Sequence, residues 1–188
     1  MKSLVLGHVL LIICCLFYLV WWCYSFRPGF EGSRIAGLSG VFLLITALAG
    51  LSGAGLTVMG IQQPDLRPEL IPSGYIVIGG IVLYVLLFAG SSAVMHRQVT
   101  TELLLIIGWL VLEYLSFQSA YCAEQMNFND LRFLLIIVSA AAILSLFFYL
   151  QYYRVGARTG FVFGMIPLIT EALCMIAFLA ICWSKDVK

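Results

Sequence analysis

Charge is what this sequence has least of. Asp, Glu, Lys and Arg make up 10% of its 188 residues, against roughly 25% in ordinary soluble domains. That scarcity excludes a water-covered globule. Ten basic and nine acidic residues leave a net charge of +1, with no basic stripe to neutralise phosphates, so nucleic acid is excluded as a partner. There are two histidines and six cysteines, but no C-x-x-C pair and no Cys/His cluster at metal spacing, and no metal or cofactor is expected. Cys14, Cys15, Cys23, Cys174 and Cys182 lie in apolar segments and Cys122 near the end of another, as small hydrophobes do. No Walker loop, H-E-x-x-H or G-x-S-x-G elbow is present.

Apolar residues are abundant instead. They form 63% of the chain, and mean hydropathy is +1.07. About twenty apolar residues cross roughly 30 Å of hydrocarbon, so six such segments consume about 140 residues. The expectation is an all-α, polytopic integral membrane protein. It is read as a single transmembrane domain over 1–188, a bundle of about six transmembrane helices spanning approximately 4–26, 35–60, 73–95, 103–121, 131–153 and 160–183, in the plasma or inner membrane with the lipid bilayer as solvent.

The first run is too long for a secretory h-region and ends in Trp21, Trp22 and Tyr24, aromatics that favour the membrane–water interface. It reads as a retained helix. Arg27–Arg34, Gln62–Pro72 with its three prolines, His96–Glu102, Cys122–Asp130 and Arg154–Arg158 are the connections. Thr100 or Thr101 is expected to cap the fourth span, and Asn129 or Asp130 the fifth. Tyr149, Tyr152 and Tyr153 form a second aromatic belt. The second span carries Ser39, Thr46, Gly50, Gly53, Thr57 and Gly60 along one stripe, the small-residue seam by which membrane helices pack closely.

Orientation is undetermined. Arg27, Arg34, Arg97, Arg154 and Arg158 on one side balance Lys2, Arg67, Arg132, Lys185 and Lys188 on the other, and the positive-inside rule counts only these. Leu10–Ile13 echoes Leu104–Ile107, and Ser73-Gly74-Tyr75 echoes Thr159-Gly160-Phe161. A real three-plus-three repeat would make the halves inverted, but apolar segments draw on few residue types and match readily by chance.

The residues that point to chemistry are Glu113 and Glu171. An acid near a helix centre costs roughly 2.5–3.5 kcal/mol on insertion scales. Glu113 lies ten residues past Leu103 and Glu171 eleven past Gly160, so both are expected roughly 15–17 Å deep, as a pair. No Lys or Arg lies inside any span, so neither has an evident cationic partner. Tyr84 is a candidate donor at similar depth. Pro167, four residues before Glu171, frees a backbone carbonyl. Tyr114, Gln118, Tyr121 and Gln125 share one face and line either a polar cavity or a subunit contact. His8, about one turn inside the first span and near an interface, is expected to be a snorkelling or capped histidine. The G-L-S-G steps at 37–40 and 50–53 resemble the G-x-S-G of intramembrane serine proteases, but neither His8 nor His96 is expected at the depth a base would need. No lysine in the last span is available for a retinal Schiff base.

Three classes therefore stay open. A small secondary transporter or channel for protons, ions or a small polar solute would use Glu113 and Glu171, with Tyr84, Pro167, Tyr114 and Gln118 around them. A non-catalytic subunit of a larger membrane complex, or a homo-oligomer, would use the small-residue seam and the tyrosine–glutamine face. An intramembrane lipid-modifying enzyme would need a glutamate as base, and no nucleophile accompanies it.

Overall fold

The computed structural model describes residues 2–28, 37–61, 67–95, 101–152 and 154–186. Among them are six α-helices: α1 (Lys2–Phe26), α2 (Leu38–Ile61), α3 (Ser73–Met95), α4 (Thr101–Cys122), α5 (Phe128–Tyr152) and α6 (Ala157–Asp186). Each contains a stretch long and apolar enough to cross a membrane. Positions 29–36, 62–66 and 96–100 of the expected connections, and Tyr153, lie outside the described residues.

Five helices extend beyond an expected bound, α2 by Ile61 and α4 by two residues at its start and one at its end. α1 begins two residues before Leu4, and α6 covers Ala157–Asp186 rather than 160–183. α5 begins at Phe128 because Asn127, and not Asn129 or Asp130, is its cap. The Asn127 side-chain oxygen accepts the Asp130 N–H at 2.8 Å while Asp130 Oδ2 accepts the Asn127 N–H at 3.3 Å. This reciprocal pair satisfies N–H groups that a helix start leaves orphaned.

α1 and α2 make the most extensive contact of any helix pair. The α2 stripe is what allows it. Thr46, Gly53, Thr57 and Gly60 are buried, Gly50 faces Cys14, Gly53 faces Gly7 and Leu11, and Gly60 lies against Leu4. A Cβ added at Gly60 would sit 2.7 Å from the Leu4 backbone nitrogen. Thr57 turns its hydroxyl back to the Gly53 carbonyl at 2.9 Å, so the seam carries no stranded donor. The Leu4–Gly60 approach also shows α1 and α2 antiparallel. At the far end of α1, Trp21 donates to Ser39 Oγ at 2.9 Å and Trp22 to the Phe161 carbonyl at 3.0 Å. The aromatic belt thus ties α1 to the starts of α2 and α6.

α4, α5 and α6 bury the larger core. Phe117, Leu131, Leu134, Val138 and Phe178 are almost wholly enclosed, with Leu4 of α1 in the same cluster. α3 stands apart. It packs on α4 alone among the substantial pairings, and Gly80, against Val111, is its one buried position among the described residues. Leu51, Leu86, Leu105 and Ile143 are exposed large hydrophobics, and an outer surface of this kind suits lipid better than water.

The segment entering α3 is stitched to the end of α4. Arg67 donates its N–H to the Cys122 carbonyl at 3.0 Å and its Nε to Glu124 at 3.1 Å, and stands 5.2 Å over the Tyr121 ring. Gln125 N–H bonds the Ala120 carbonyl and Glu124 N–H the Tyr121 carbonyl, with Glu124 at φ 61°. That is a Schellman end with a non-glycine in the left-handed position. Four residues before Ser73, Glu69 accepts the Ser73 hydroxyl at 2.7 Å and the Ser73 N–H at 2.8 Å. These two bonds, hydroxyl first, hold its carboxyl below the usual 4.5.

Two outcomes follow from these contacts. Gly60→Ala should destabilise the protein by about 1–3 kcal/mol, because the helices must separate, while Gly55→Ala, where a Cβ meets nothing within 4 Å, should be neutral or stabilising by up to about 1 kcal/mol. Thermal unfolding in detergent distinguishes them. The Glu69 contribution is present above its unfolded value of 4.5 and is lost as pH falls through its lower folded value. Protection of the Ser73 amide against hydrogen exchange should therefore decrease on acidification below that value, and should be weak at every pH in Glu69→Gln.

Candidate functional site

His8 sits six residues into α1, and its ring is enclosed by protein. It is 0% exposed, as is Glu113, and His8 Nε2 stands 3.4 Å from Glu113 Oε2. The expected interfacial histidine is thus a core histidine, and it is the basic partner that Glu113 lacked in the sequence. The reason lies in counting from the other end: Glu113 precedes the C-terminal residue of α4, Cys122, by nine residues, so α1 near its start and α4 near its end meet in the same half of the bundle. Phe178 of α6 closes the site, its ring 4.6 Å from the imidazole.

The hydrogen positions follow from the partners. His8 Nδ1 lies 2.8 Å from the Leu4 carbonyl, and a carbonyl oxygen can only accept, so Nδ1 carries a hydrogen. In a neutral imidazole Nε2 is then a bare acceptor facing a second acceptor, the carboxylate. The contact is attractive only when one further proton lies on Nε2 or on the carboxyl. The proton belongs to the pair. Neither His8 Nε2 nor either oxygen of Glu113 has an aligned hydrogen-bond partner, and the Trp109 indole N–H, one turn before Glu113, is also buried without one.

Glu171 is placed differently. It is half-buried on α6, two turns before the Phe178 that covers His8, and so about 10 Å further along that helix. Its neighbourhood on α1 is Cys15, which packs with Ala172 and Met175. Glu171 interacts electrostatically with Glu113, and His8 is the side chain that stands within ion-pair distance of Glu113 among the described residues. Among the described residues no three His, Cys, Asp or Glu side chains come together as metal ligands.

The remaining candidates are drawn into helix contacts. Tyr84 lies in the α3–α4–α5 cluster with Leu103, Ile106 and Ile107, its ring stacked 6.1 Å from Phe88. Tyr114 is bonded to Ser139 of α5 at 2.6 Å. Gln118 clamps Ile71, accepting its N–H at 3.1 Å and donating to its carbonyl at 2.7 Å. Beside that clamp is a recess of about 10 Å³ between Glu69, Ser73, Gln118 and Ser119, room for roughly one water. Beside Pro167, the Thr170 hydroxyl donates to the Ile166 and Pro167 carbonyls at 3.0 and 2.8 Å and meets Ser145 of α5 at 3.2 Å. An open apolar groove of about 460 Å³ runs along Ile176, Leu179, Ala180 and Trp183, with no titratable group in it.

Compared with protein-family models, with curated proteins and with solved structures, the chain matches none. Function has to be argued from the site.

Removing one member of the pair strands the other. His8→Leu or Glu113→Leu alone should each destabilise the protein by about 3–5 kcal/mol, and the double variant should recover most of that loss. Unfolding of the four proteins of this cycle in detergent measures the coupling, and additive losses would show that the contact carries no energy.

Proposed function

We propose that this chain is a multi-pass membrane protein, of the plasma or inner membrane, that carries a proton, an ion or a small polar solute across the bilayer with Glu113 as its titrating group. The observation that supports it is the fully buried His8–Glu113 contact. Ionisable groups at membrane depth are expensive, and their default reading is functional.

The arrangement of helices adds to this reading. His8 belongs to the tightly seamed α1–α2 pair, whereas Glu113 and Glu171 belong to α4 and α6. α1 and α2 reach the rest of the bundle through smaller contacts with α6 and α4. Alternating access needs two stiff units that rock about a site held between them, and a titrating pair divided between the two units meets that need. Glu171, half-buried two turns further along α6, is a second carboxyl on the way from the pair toward the opposite face.

A second reading is favoured by α3. A helix exposed along nearly its whole length would suit a subunit packed against a larger membrane complex or a second copy, and purification in mild detergent followed by native mass measurement would reveal such a partner.

The direct test is reconstitution into proteoliposomes with an imposed pH gradient. Wild type should dissipate the gradient faster than Glu113→Gln by on the order of ten-fold or more, an effect on the barrier above about 1.4 kcal/mol, with Glu171→Gln intermediate. Equal rates in all three proteins, each shown to be folded and inserted, would reject the carrier reading.

A further inference from the structure

We infer that the species bound at the His8–Glu113 contact is a single proton, bridging imidazole and carboxyl, and neither a metal cation nor a larger solute. This deepens the carrier reading by naming what its site takes, and rests on that reading only for what the proton is used for.

The site is closed. Both residues are 0% exposed, and fully buried Leu4, Phe117, Met175 and Phe178 belong to the apolar clusters packed where α1, α4 and α6 meet. No solute larger than water fits without opening it. Yet the interior is not satisfied, because His8 Nε2 and both Glu113 oxygens lack aligned partners. Buried polar atoms are rarely left unsatisfied, and a bound proton, water or ion is one account of them.

The donor set decides what. A hard cation takes six or more oxygen ligands, and the described His, Cys, Asp and Glu side chains form no group of three that could hold one. Trp109, one turn before Glu113 on α4, also has its indole N–H buried without a partner, and a donor N–H supplies no ligand to a metal cation. A proton needs only two ligands. With Nδ1 committed to the Leu4 carbonyl, Nε2 and a carboxyl oxygen are the two acceptors that remain, and one proton turns their repulsion into attraction.

Other ionisable groups do not compete for that role. Among the described residues, His8 and Glu113 are the only buried members of the His, Lys, Arg, Asp and Glu set. From α1 and α6, Cys15, Cys174 and Glu171 lie within electrostatic reach. α2 brings Thr57, bonded to Gly53, and α5 brings Ser145 and Ser139, bonded to Thr170 and Tyr114. α3 packs on α4 through Tyr84 and its apolar neighbours.

The test is 15N NMR of the imidazoles in the full-length protein in lipid nanodiscs. The chain has two histidines, so His96 serves as an internal reference. Nδ1 of His8 should carry a hydrogen throughout. Nε2 should show the shared proton in wild type and lose it in Glu113→Gln, whose amide donates to a bare Nε2. Raising Na+, K+ or Mg2+ should leave the wild-type Nε2 signal unmoved. That arm needs no variant, and Glu113→Asp, which keeps the acid, covers a failure of the glutamine variant to fold. Displacement of the proton by any of these cations, or an Nε2 signal indifferent to Glu113→Gln, would overturn the inference. Cation displacement together with Glu113-dependent flux would leave a carrier of another ion. An Nε2 signal as expected without Glu113-dependent flux would leave the proton site and remove the carrier.

Discussion

A histidine of α1 and a glutamate of α4, both fully enclosed, face each other side chain to side chain, although the two helices share no extensive backbone contact. Two ionisable groups removed from water lose several kcal/mol of hydration each, and an interior that keeps them must either pair them well or use them. Here the pairing is incomplete. The carboxyl accepts no aligned hydrogen bond, while a helix carbonyl holds the imidazole in one tautomer. One partner is thus held in position while the other is left without an aligned hydrogen bond.

His8 reaches this place through the small residues around it. α1 can lie backbone-close on α2 because Gly7, Gly53 and Gly60 leave room, and without a hydrophobic driving force between helices in lipid, such close approach is the principal source of association. The ends of the bundle are secured by different means. One end relies on indole donors to Ser39 and to the Phe161 carbonyl. The other relies on Arg67, Gln118 and the left-handed turn at Glu124. α3 is the least held element, fixed at its start by Glu69 and Gln118 and along its length chiefly by α4.

Much of this was legible in the residues. Six apolar runs announced six helices, and Pro28, Pro72 and the polar clusters marked where they stop. Glu113 drew attention by its cost alone. His8 did not, because depth was counted from the start of each run, and one sequence says nothing of how far neighbouring helices are shifted along their axes. Tyr84, Tyr114 and Gln118 were legible as polar residues in apolar helices but not by role. A tyrosine hydroxyl reaches whichever neighbour is present, and the neighbours turned out to be Ser139 for Tyr114 and the Ile71 backbone for Gln118.

The sequence by itself determined the helices, because hydropathy and the 3.6-residue period are properties of single segments. It also marked Glu113 as an acid inside an apolar segment, where it has to be kept out of lipid. Only the tertiary structure decided which base would meet that acid, that Glu171 would be half-buried on α6 within electrostatic reach of Glu113, and which face of α2 would lie against α1. Those are matters of rotation and axial shift between helices, set by the summed fit of many side chains, and they leave no periodic mark in any one segment.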